Sequence, residues 1–105
     1  MLNKTEQQKI KKVLSKVVRV DNMQSSGGNT IPNQFIISGS DFKLFQSYSS
    51  PIALIYNGVT YIFKDYDCSK TTGKYRNQFL NSTLKEINAK LKDGVYIAVD
   101  FEVTQ

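Results

Sequence analysis

Residues Ser69 to Phe79 read SKTTGKYRNQF, a stretch that crowds hydroxyls, one glycine, three cations and two aromatic rings together. If Thr72 caps a helix, its hydroxyl takes the amide of Tyr75. Gly73, with no side chain, then leaves the first backbone amides open beside Lys70, Lys74 and Arg76, a setting suited to an anion. Tyr75 and Phe79, four residues apart, anchor such a helix and turn Arg76 and Asn77 toward solvent as planar hydrogen-bonding groups. Lys70, Thr72, Gly73, Lys74, Arg76 and Asn77 therefore form a candidate partner- or anion-binding surface. The same residues also read as a cap and a packing stripe that serve the fold alone.

A second set of cations stands near the amino end. Lys9, Lys12, Lys16 and Arg19 recur at one per helical turn beside an apolar stripe, a spacing that follows a phosphate backbone and equally describes a solvated lysine face. Other chemistry is excluded by what is missing. TGKY lacks the glycine and the hydroxyl residue of a phosphate-binding loop, since Cys68 and Tyr75 occupy those places. Asp65, Asp67 and Ser69 start like a calcium loop, but Lys70 and Arg76 stand where its glycine and glutamate belong. The two aspartates read as an acidic loop, and no metal is expected. With no histidine and one cysteine, neither a zinc site of the usual kind nor a histidine-based nucleophile can be built. No catalytic residue and no cofactor are expected.

These groups must be positioned by a few elements. Ile10, Val13, Leu14 and Val17 fall on one helical face, and Asn3 with Glu6 has capping-box spacing, which predicts a helix over about 4–19. Residues 21–33 are rich in Gly, Ser and Asn and read as a connector. From Gln34 the period becomes two. QFIIS and FKLFQSY flank GSD, and IALIY meets VTYIF across Asn57-Gly58, the pair that best accepts the positive angles of a two-residue hairpin turn. That turn sets Tyr56 against Val59, Leu54 against Tyr61 and Ile52 against Phe63. Thr83 and Glu86 open a further helix that buries Leu84, Ile87 and Leu91 and stops at Asp93-Gly94. VYIAVDFEV closes the chain as a strand with Val95, Ile97, Val99, Phe101 and Val103 toward the core.

The expected fold is α+β: an antiparallel sheet of about five strands, with the N-terminal helix and one or two helices of the C-terminal half packed on its apolar face. At 105 residues and 40% hydrophobic content the chain forms one domain, with a basic helix at 4–19 and a core at about 25–103. Of the net charge of +5, residues 1–20 supply the whole excess: six cations against Glu6. A local basic surface attracts phosphates, acidic proteins or nucleoproteins. The longest apolar run, Ile52 to Tyr56, falls far short of a membrane span, and no signal-peptide core precedes it, so a cytoplasmic protein without membrane contact is expected.

Three blocks, IPNQF at 31–35, FQSY at 45–48 and TTGKYRN at 71–77, resemble a family of small uncharacterised proteins encoded by phages and other mobile elements of Gram-positive bacteria. The resemblance runs over about 25–97, so the basic helix precedes it. Where that family usually carries a tryptophan and a tyrosine before the serine, this chain reads Tyr66-Asp67-Cys68-Ser69. What the resemblance implies is a setting in the bacterial host cell: a non-catalytic protein that binds a host protein or nucleoprotein complex. The leading expectation is a counter-defence inhibitor of the anti-CRISPR kind, acting by occlusion. The alternative is a basic accessory protein that binds DNA or RNA directly in replication or packaging, and an enzyme ranks last.

Overall fold

The computed structural model describes residues 3–14, 16 and 19–100. Along the chain these form α1 (Lys4–Leu14), β1 (Arg19–Gln24), β2 (Thr30–Ser38), β3 (Phe42–Ser47), β4 (Ser50–Tyr56), β5 (Val59–Phe63), α2 (Lys70–Leu80), α3 (Leu84–Lys92) and β6 (Tyr96–Val99). The strands make one six-stranded sheet in sequence order. The first five are antiparallel neighbours, whereas β6 runs parallel to β5 after the crossover through α2 and α3.

The inner strands have apolar residues on both sides, because helices cover both faces. On one face, Ile10 and Leu14 of α1 pack on Ile37, Leu44, Leu54, Phe63 and Val99. On the other, Tyr75 of α2 and Ile87 of α3 pack on Phe45, Ile52, Ala53 and Ile62, with Phe79 meeting Phe45 at 5.8 Å between ring centres. The structure is thus α+β in three layers with a mixed sheet. The expectation of a single covered face missed this because IALIY, a continuous apolar run, signals burial on both sides as readily as alternation signals it on one.

The hairpin at Asn57-Gly58 has the expected register near its turn, where Tyr56 opposes Val59 and Leu54 opposes Tyr61, with φ of 52° and 75° at the two turn residues. Ile52 does not pair with Phe63: the ladder ends at the Ala53–Ile62 pair, and the two side chains join the cores on opposite faces. The third helix has the expected cap and stop, although of its apolar stripe only Ile87 is buried and Leu84 and Leu91 are half-buried. Thr83 accepts the Glu86 amide at 3.2 Å, Glu86 accepts the Thr83 amide at 2.9 Å, and Gly94 follows with φ of 77°. Three further expectations need correction. The first helix ends at Leu14, and Arg19 begins a strand. The supposed connector holds most of β1 and the start of β2. Pro32 is tolerated there because it lies where the β1–β2 register shifts, between the Asn22–Phe35 and Gln24–Thr30 pairs. In β6, Val95 precedes the strand and is 61% exposed, while Ile97 and Val99 face the core as expected. Phe101 and Val103 lie outside the described residues.

Candidate nucleic-acid interface

The TTGKYRN stretch is α2, and its first turn is built differently from expectation. Ser69, with extended φ and ψ, is the cap, and its Oγ accepts the Thr72 amide at 3.1 Å. Thr72 sits one turn in and is buried. Its hydroxyl lies 2.8 Å from Ser47 Oγ and accepts from Ser69 Oγ at 3.0 Å. The Gly73 amide, expected to be open, donates to Ser69 O at 2.9 Å.

Arg76 is the largest correction: only 2% of it is exposed. Its side chain lies back over Gly73, where an added Cβ would stand 3.4 Å from Nη2. Nη1 donates to the Tyr66 carbonyl at 2.5 Å, and Nε and Nη2 donate to Asn77 Oδ1 at 3.1 and 2.9 Å. Asp67 stands 3.4 Å away but is more than half exposed, so it adds little. The guanidinium fork therefore staples α2 to the loop after β5. Asn77, half-buried, is spent on the same fork. Lys70 and Lys74 remain at the surface, the latter 5.5 Å from the Tyr75 ring centre.

The three sequence blocks meet in this interior. Gln34 of IPNQF is fully buried opposite Ser47 of FQSY, and Ser47 bonds Thr72 of TTGKYRN. At the adjoining turn Tyr48, with φ of 55°, donates its amide to Asn33 O at 2.7 Å and takes Gln46 Nε2 on its carbonyl at 2.7 Å. The Asn33–Tyr48 and Ser47–Thr72 bonds join β2, β3 and α2 here, while the buried Gln34 side-chain amide beside them makes no hydrogen bond among the described residues.

The basic stripe is divided in the structure. Lys9 and Lys12 of α1 and Lys16 just beyond it line one cavity of about 310 Å³ together with Val13, Ser40, Asp41 and Tyr56. A recess of about 150 Å³ adjoins it, sharing Lys9 and Tyr56 and lined also by Glu6, Ile10, Asn57, Val59 and Tyr61. The lysines flank the buried stripe of α1, so they form a wall of the groove between α1 and the turns at that end of the sheet. Gly39 holds the β2–β3 turn close: a Cβ there would overlap the Phe42 ring and crowd the Lys16 carbonyl. Arg19 lies apart on β1, its Nε 2.6 Å from Asp21. Burial raises the pKa of the Tyr61 hydroxyl above its ordinary value of 10.0, and the charges of Glu6 and Tyr56 add to this, so at neutral pH the hydroxyl is a donor.

Tyr56, Tyr61, Ser40 and Asp41 were legible only as strand and turn residues. Nothing in their spacing ties them to α1. Among the described residues no three His, Cys, Asp or Glu side chains gather as a metal site, and no helix is long and apolar enough to cross a membrane. The model of one family, described as a family of unknown function (DUF8033), matches residues 18–94, from β1 through α3. No curated protein and no solved structure matches the chain. The groove thus combines the matched sheet with lysines that precede the match.

Proposed function

The chain belongs to DUF8033, a family of unknown function, and we propose that it is a non-catalytic binding protein that engages the nucleic acid of a host nucleoprotein through the groove beside α1. The observation that carries this reading is the convergence of Lys9, Lys12 and Lys16 on one cavity with Tyr56. Clustered cations on a concave wall raise the local potential and release counterions when phosphates bind. The burial of Arg76 moves the weight of the reading from α2 to this groove. A sequence with no histidine supports a binding role over an enzymatic one.

The resemblance of IPNQF, FQSY and TTGKYRN to phage and mobile-element proteins supports a counter-defence setting in the bacterial cytoplasm. There, occupancy of the groove blocks a nucleoprotein such as a CRISPR nuclease. Direct DNA or RNA binding in replication or packaging draws on the same lysines.

A tagged chain and its Lys9→Gln/Lys12→Gln/Lys16→Gln variant, used as baits in a host lysate, test the reading. Recovery of a nucleoprotein by the wild type alone supports it, and partners indifferent to the substitutions refute it. Nuclease treatment then divides the settings. A nucleoprotein that stays bound together with its protected nucleic acid marks occlusion, and loss of every partner marks binding to accessible DNA or RNA.

A further inference from the structure

We propose that the groove beside α1 takes one nucleotide of a single-stranded nucleic acid, its phosphate against Lys12 and Lys16 and its base in the recess beyond Lys9. This rests on the reading above and narrows it to a ligand class. The two cavities share Lys9 and Tyr56 but differ in character. The larger is cationic, with three lysines against Asp41. The smaller offers the aromatic and hydrogen-bonding groups of Tyr56, Tyr61 and Asn57 with the carboxylate of Glu6.

A phosphate and a base make the same contrast within one nucleotide. Concavity decides between strand and duplex. The lysines flank the buried stripe of α1 and face the notch over half-buried Val13, so they do not stand on the outer crest of the helix. A duplex presents its phosphates on a convex rod and keeps its bases stacked inside, whereas a single strand brings an unstacked base with its phosphate. Within the recess, a carboxylate at Glu6 accepts from an exocyclic amino group, as carboxylates do from cytosine N4, and repels a carbonyl edge. Amino-bearing bases are therefore favoured over thymine.

Fluorescence anisotropy at low salt, with the full chain and short labelled oligonucleotides of one length, tests this. Single-stranded oligo(dC) is expected to bind about tenfold more tightly than the duplex, the worth of one stacked base. It should also bind several-fold more tightly than oligo(dT). Glu6→Gln should abolish the preference for dC while strand binding persists. A duplex bound as tightly as the strand overturns this inference and, if that binding still depends on the lysines, leaves the broader reading standing. No binding to strand or duplex at low salt, by a chain shown to be folded, overturns this inference, and the lysate experiment then decides the broader reading separately. Equal affinity for dC and dT, or an unchanged preference in Glu6→Gln, overturns the placement of the base.

Discussion

Replacing Arg76 with alanine should destabilise the fold by about 3 kcal/mol. The Tyr66 carbonyl loses a bond to a charged donor, worth about 1.5–3 kcal/mol. The buried stem loses two methylenes beyond Cβ at about 0.8 kcal/mol each. Against this, a buried charge no longer has to be kept out of water, which returns part of the sum. The Asp67 contact adds almost nothing, since that carboxylate is already hydrated. For a domain whose whole stability is about 5–15 kcal/mol this is a large share, and it lowers Tm by on the order of 15 °C. Urea titration followed by far-UV circular dichroism measures it at unchanged slope. Arg76→Lys, which keeps the charge and stem but not the planar fork, should lose about half as much. A change of less than about 0.5 kcal/mol for Arg76→Ala would show that the guanidinium faces water, and would return this residue to the candidate surface.

Four further outcomes are expected. Gly73→Ala should be neutral or stabilising by up to about 1 kcal/mol, since a Cβ just fits beside Arg76 and alanine favours the helix; Gly73→Leu should displace the guanidinium and show as a lower urea midpoint. Gly58→Val should destabilise the β4–β5 hairpin by more than about 1 kcal/mol in thermal melts, because its φ of 75° is closed to branched residues although the space around it is open. The pKa of Glu86 is lowered from 4.5 by its hydrogen bonds with Thr83, so its contribution is present above 4.5 and fades as pH falls through the depressed folded value; Glu86→Gln should remove that part of the acid dependence in melts run from pH 6 downward. A single phosphate held in the groove predicts a log-log salt slope of roughly −0.7 on single strands, and Lys9→Gln, Lys12→Gln and Lys16→Gln together should flatten it.

Features written in adjacent residues were legible in the sequence. Asn57-Gly58 dictates its own turn, and Thr83 with Glu86 dictates its own cap, so both hold whatever surrounds them. β1 was not legible. RVDNMQ is an edge strand that buries only Met23, so it carries no alternation to read, and its pairing with β2 is a property of distant partners. Arg76 failed for a related reason. An arginine beside other cations reads as surface, and only the fold brings the Tyr66 carbonyl to it. The groove was half legible: the lysine stripe follows from helical spacing, but Tyr56 and Asp41 reach it only through the sheet.

The covering of the sheet by α1 bears on how this architecture diversifies. Residues 18–94 carry Ile37, Leu44, Leu54 and Phe63 on a face that, without Ile10 and Leu14, stands open to water. A chain built on the matched region must therefore recruit some cover for that face, and the demand on the cover is only an apolar stripe of the right width. Half-buried Val13 widens that stripe. The ladders of the sheet run from strand to strand, so what α1 gives that face is the packing of Ile10 and Leu14, and another apolar stripe of the same width would close it as well.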